Sequence, residues 1–238
     1  MIGDRKPAED RCPPPVGKSV LWNNALLGLG LALMITALYL VFMYVPTEKT
    51  MGDVQRIFYF HVPLAWVAFL AFFVVFICSI LYLWKRDAKW DIVARASAEV
   101  GVIFTTLVLI TGPIWAKAVW GVWWTWDARL TATLVLWIIY IAYMLVRRYT
   151  SEEARGARFA AVLGIVGFID VPIVFLAIQL WRTQHPGALV FEGGLAPSML
   201  LTLMVSIAAF TVLYVILTAR SVALKNMEEA VRQLKGSQ

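Results

Sequence analysis

Six long apolar runs constrain this chain more than any other feature. They lie at about residues 20–45, 63–84, 96–115, 129–147, 159–180 and 197–218. About twenty apolar residues wound as a helix cross a hydrocarbon core of ~30 Å. A barrel strand would instead alternate inward and outward over about ten residues, and these runs do not alternate. A helix also satisfies its own backbone hydrogen bonds where water is absent. Composition says where the apolar surface must go. Hydrophobic residues make up 61% of the chain and charged ones 15%, against about 45–50% and about 25% in a soluble domain. A soluble fold of this length has too little interior for the excess. The expected fold class is all-α, a polytopic membrane protein with six transmembrane helices.

The net charge of +6 raises the question of nucleic acid, and the placement of the charges answers it. Sixteen of the twenty-one Lys and Arg residues fall in the N-terminal tail, the 85–95 loop, the 147–158 loop and the C-terminal tail. The other set of segments holds only Lys49, Arg56, Lys117, Arg129 and Arg182. Cytoplasmic loops carry the excess of Lys and Arg, so the imbalance is topogenic and places both termini in the cytoplasm. The chain divides into a cytoplasmic tail over 1–19, a membrane domain over 20–219 and a cytoplasmic tail over 220–238, within which 222–235 reads as a short amphipathic helix. A cleavable signal peptide is not expected, because the first nineteen residues are polar and include Pro13 to Pro15. Cys12 and Cys78 lie in a polar tail and an apolar run, so a disulfide is not expected. No Cys/His cluster suggests zinc or an iron–sulfur centre.

The outward segments hold the chemistry. Trp120, Trp123, Trp124 and Trp126 fall within seven residues, in an outward loop at about 115–129, with Trp115 before them and Trp137 after. Indoles are flat apolar plates with one N–H donor, suited to a flat apolar ligand; an aromatic belt at the membrane interface would have the same density. The only two histidines, His61 and His185, lie in the first and third outward loops, each near a proline. A lone loop histidine is most often solvated. Two imidazoles approaching a plane from opposite sides form an axial set for haem iron. Arg56, Lys117, Arg129 and Arg182 are the outward cations available to propionates, Arg best because its fork matches a carboxylate. Lys117 reads better as a flanking charge. Asp127 opens span four as its N-cap and is otherwise placed to pair with Arg129 or orient an indole. Asp170, beside Pro172 in span five, is a charge inside the membrane; a polar contact to a neighbouring helix is its plain reading. Gly164 and Gly167 permit close helix contact.

The run Trp120-Gly-Val-Trp-Trp-Thr-Trp-Asp127-Ala-Arg129-Leu-Thr resembles the tryptophan-rich "WWD" signature of the haem-handling proteins of cytochrome c biogenesis. Phe58-Tyr-Phe-His61-Val-Pro and Gln184-His185-Pro match in placement. The six-span length is similar to the haem exporter protein C branch of that family, CcmC; the haem lyase subunit and the CcsA-type synthases are longer. The resemblance implies haem b held on the periplasmic face of a bacterial inner membrane, with His61 and His185 as axial ligands. Trp115, Trp120, Trp123, Trp124 and Trp126 would form the platform, with Asp127, Arg129 and Arg56 at its rim. It further implies delivery to the periplasmic haem chaperone CcmE, alongside the ABC ATPase CcmA, its membrane subunit CcmB and the small single-span CcmD. This chain has no Walker A run, so ATP chemistry would belong to a partner. No nucleophile or acid–base pair is evident, so binding and transfer are expected rather than catalysis. The rival readings are a transporter carrying haem or another small molecule across the membrane, a subunit anchored by its aromatics, and an electron-carrying cytochrome.

Overall fold

The computed structural model describes residues 16–150, 152–181, 185 and 194–236. Of the tail expected over 1–19, residues 1–15, with Cys12, lie outside the described residues, as does Arg182, while residues 16–19 are helical. Helix α1 (Val16–Tyr39) ends in a π turn, Leu40–Tyr44, and a 3-10 turn, Asp53–Ile57, leads into α2 (Phe58–Lys85). Next come α3 (Ala88–Trp120) and α4 (Ala128–Tyr149). The fifth apolar run forms two helices, α5 (Glu153–Phe168) and α6 (Asp170–Leu180), and the sixth forms α7 (Pro197–Gly236). Six of these segments are long and apolar enough to cross a membrane, counting α5 and α6 as one. The chain is an all-α, multi-pass membrane protein.

The helices outrun the apolar runs, because apolarity marks lipid and not the end of a helix. Helix α2 starts at Phe58, so His61 and Pro63 stand inside a helix rather than in the loop expected for His61. Helix α3 starts at Ala88, where the Asp87 side chain accepts the Lys89 amide at 3.0 Å. The Lys89 side chain also holds the Asp87 carboxyl below the usual carboxylate range. Helix α7 has 40 residues, about 60 Å at 1.5 Å each, twice the hydrocarbon thickness. Residues 222–235, expected as a separate amphipathic helix, are its continuation. The break at Ile169 follows from Pro172, which has no N–H for the Phe168 carbonyl four residues back and crowds it with its ring.

Helices α2 and α3 form the central antiparallel pair, with α4 and α5–α6 on one flank, α7 on the other, and α1 outermost against α7. Lipid tails are as apolar as Leu, so close contact rather than water exclusion holds such helices together. Small residues let it happen. A Cβ at Gly164 would lie 2.8 Å from Ser79 Oγ, and one at Gly167 would lie 2.6 Å from Ile139 Cγ2. In the core, Phe72 of α2 stacks on Tyr140 of α4 at 3.7 Å between centroids and 15° between planes, with Leu136 and Tyr143 buried around them. Asp170 opens α6, and its buried Oδ2 has no hydrogen-bond partner among the described residues; the polar helix contact expected of it does not reach that oxygen.

The 85–95 loop, the 147–158 loop and the end of α7 meet at one end of the bundle, the basic end. There Arg147 pairs with Asp91 at 2.7 Å, Lys225 with Glu99 at 2.6 Å and Arg232 with Glu153 at 2.9 Å. These pairs join α4 to α3, and α7 to both α3 and α5. The tryptophan-rich turn closes the opposite, aromatic end.

Candidate functional site

The site is built where α3 stops and α4 starts. Gly121 ends α3 with φ +78°, its N–H reaching the Lys117 carbonyl at 3.1 Å, a left-handed cap that glycine adopts without strain. Lys117 Nζ donates to the Gly121 carbonyl at 2.8 Å, which makes Lys117 a capping charge. Trp126 also has positive φ, +54°, uncommon for a residue with a Cβ; it turns the chain into α4. Asp127 Oδ1 then accepts the amides of Arg129 and Leu130, both at 3.0 Å, and Thr125 Oγ1 donates to Oδ2 at 3.2 Å. The N-cap role expected of Asp127 is the one it fills. The capped start of α4 fixes Arg129 in its first turn.

Under this turn lies a cleft between α2, α3 and α4. Both histidines line it, along with Trp115, Trp120, Trp124, Asp127 and Arg129. Its lower part is apolar, reaching Ala68, Phe69, Leu136 and Val174. His61 is buried, with Nδ1 2.8 Å from Thr111 Oγ1 and its ring edge-on to Trp115 at 5.9 Å. The indole nitrogens of Trp115 and Trp124 are buried without a hydrogen-bond partner among the described residues. No side-chain hydrogen bond or ion pair engages Arg129 among them either. The cleft therefore presents two imidazoles, one uncommitted guanidinium and two unused N–H donors above an apolar floor. That set suits a flat apolar ligand with a metal at its centre and acid groups at one edge.

Three residues expected at the site stand elsewhere. Trp123 and Trp126 are 58% and 69% exposed and do not line the cleft; Trp126 touches it only through its edge contact with Trp124, at 5.5 Å. Arg56 is held away. It pairs with Asp53 at 3.1 Å, donates to the Val41 carbonyl in the π turn and lies over the Phe42 ring. A carboxylate three residues back and a carbonyl in the neighbouring π turn already occupy its donors. Thr111 and Gly112 are the residues that sequence reasoning missed. The signal for Thr111 was its place four residues before Trp115, on the same face of α3.

A sequence profile of the family described as heme exporter protein C matches residues 16–236. The chain belongs to the heme exporter protein C family. Heme exporter protein C of Bradyrhizobium diazoefficiens is 37% identical over 193 residues, covering 80% of this chain and 73% of that protein. A protein of Marchantia polymorpha, named as a putative cytochrome c biosynthesis ccmC-like mitochondrial protein, is 30% identical over 211 residues, 87% of this chain and 90% of its own length. Heme exporter protein C of Escherichia coli K12 is 29% identical over 208 residues, with 87% and 84% covered. The match to this family spans every membrane helix and the whole aromatic end.

Proposed function

We propose that the chain holds haem b in the cleft, with His61 and His185 as axial ligands, and hands it to the periplasmic chaperone CcmE during cytochrome c maturation. CcmA, CcmB and CcmD would be its partners in the membrane. One observation carries the reading: the only two histidines of the chain line one cleft, together with the uncommitted Arg129. The residues fit haem. A bare metal ion in a structural site wants four protein ligands, and no group of three or more His, Cys, Asp and Glu is gathered among the described residues. A porphyrin brings four nitrogens of its own and asks the protein for the axial pair. Its apolar edge matches the floor at Leu136 and Val174, and its propionates match Arg129 and the free indole N–H groups. The charge imbalance supports a periplasmic position for the aromatic end, with both termini in the cytoplasm.

What the chain contributes is binding and orientation. The indoles exclude water from the ring faces, Arg129 fixes which edge points outward, and the imidazoles hold the iron. The transport reading would need an opening through the Phe72, Tyr140 and Tyr143 layer, where Tyr140 and Tyr143 are at most 1% exposed. The test is the absorption spectrum of detergent-purified protein beside His61→Ala and His185→Ala. A bis-imidazole spectrum in the parent, lost in both variants, is expected. Unchanged spectra in both would overturn the axial assignment.

A further inference from the structure

This inference rests on the haem reading above and concerns which nitrogen of His61 meets the iron. His61 Nδ1 lies 2.8 Å from Thr111 Oγ1, and the same oxygen lies 2.8 Å from the Leu107 carbonyl oxygen one turn back. A threonine hydroxyl has one proton to give and lone pairs to receive with, and a carbonyl can only accept. With the hydroxyl proton on the Leu107 carbonyl, Oγ1 is free to accept, and Nδ1 must carry a proton. Both contacts are then hydrogen bonds. In the other neutral tautomer Nδ1 has a lone pair, and the single hydroxyl proton can serve only one of the two. The remaining 2.8 Å contact would set lone pair against lone pair.

Helix α3 braces the ring from the same side. A Cβ at Gly112 would stand 3.3 Å from His61 Cε1, so the imidazole edge lies against a stretch of helix without a side chain. The Trp115 ring meets the imidazole at 62° between planes. Thr111, Gly112 and Trp115 thus hold the Nδ1 side of a ring that lines the cleft.

We propose that Thr111 is a positioning residue. Its hydroxyl keeps His61 as the Nδ1–H tautomer, so that Nε2 offers the lone pair to iron, and its acceptance of the Nδ1 proton makes Nε2 more basic. Outer partners of this kind are typically worth about 10–100-fold in affinity.

The experiment compares the full chain in detergent with Thr111→Val, which keeps the shape, and Thr111→Ser, which keeps the hydroxyl. Haem affinity, the ferric electron paramagnetic resonance spectrum and the haem midpoint potential are measured on each. Thr111→Val should bind haem about tenfold or more weakly, with shifted resonance and potential, and Thr111→Ser should match the parent. A Thr111→Val protein unchanged in all three overturns the proposal, and so does a Thr111→Ser protein equally impaired. His61→Ala separates the two levels: if it too leaves the spectrum unchanged, the axial reading has failed, and if it alone loses the haem band, only the role of Thr111 has. A second measurement does not depend on the folding of Thr111→Val. His61→Gly is supplied with imidazole or with 1-methylimidazole, which has no N–H to donate. Imidazole should restore the spectrum at about a tenth of the concentration or less, and equal rescue by the two overturns the proposal.

Discussion

The two ends of the bundle differ in how their charges are paired. At the basic end charges answer one another: Arg147 and Asp91 are 2.7 Å apart with side chains 5% and 12% exposed, and Lys225 and Ser221 both reach Glu99. At the aromatic end the buried N–H groups of Trp115 and Trp124 have no hydrogen-bond partner among the described residues, and Arg129 feels the Asp127 carboxylate without a close ion pair. An unmet buried donor costs about 1–3 kcal/mol. The basic end is clamped by its ion pairs, although Arg147 Nε and the Trp90 N–H there are also buried without a partner among the described residues. The aromatic end has the polarity of half an interface, completed only when something else supplies acceptors.

The contrast can be broken by substitution, starting with the largest effect. Asp91→Leu strands a buried guanidinium, which costs about 3–5 kcal/mol; thermal unfolding in detergent should show a large loss, while protein that remains folded keeps the parent haem spectrum. If haem binding falls and stability does not, the basic end is no mere clamp. Arg129→Gln is the mirror experiment. It removes no native pair, so the melting temperature without haem should hold, while haem affinity measured by titration should fall about tenfold, as for loss of one charge-assisted hydrogen bond. A fall in stability comparable to that of Asp91→Leu would erase the distinction. The smallest effect sharpens it: Glu152→Gln breaks an exposed pair with Arg155, side chains 59% and 64% exposed, and should change stability by about 0.5 kcal/mol or less.

Some of this was legible in the residues and some was not, for identifiable reasons. The spans were legible because each needs about twenty apolar residues and nothing else in the chain reads that way. The close approach at Gly164 and Gly167 was legible from residue size. Helix ends were not, since α2 and α3 continue past the apolar runs into residues that carry no lipid signature. That is why His61, read as a loop residue, stands within α2. At the cleft, composition pointed to the histidines and indoles, because the chain has so few of one and so dense a set of the other. It could not choose among the outward cations: Arg56 and Arg129 look alike in sequence, yet Asp53 and the Val41 carbonyl claim the first. The i, i+4 spacing puts Thr111 on the Trp115 face of α3, but its partner His61 lies fifty residues away, beyond the reach of any local spacing.

The cleft's apolar lining includes Leu136, which packs in one buried cluster with the stacked Phe72 and Tyr140 rings. On the proposed role, this makes the cleft a cul-de-sac. A newcomer cannot push an occupant out ahead of itself, as it would in a tunnel, and arrivals and departures share the upper doorway. Throughput is then governed by how long each guest stays. A recipient that reaches in at Trp120 and Trp124 to loosen the guest would quicken the cycle more than any rise in supply.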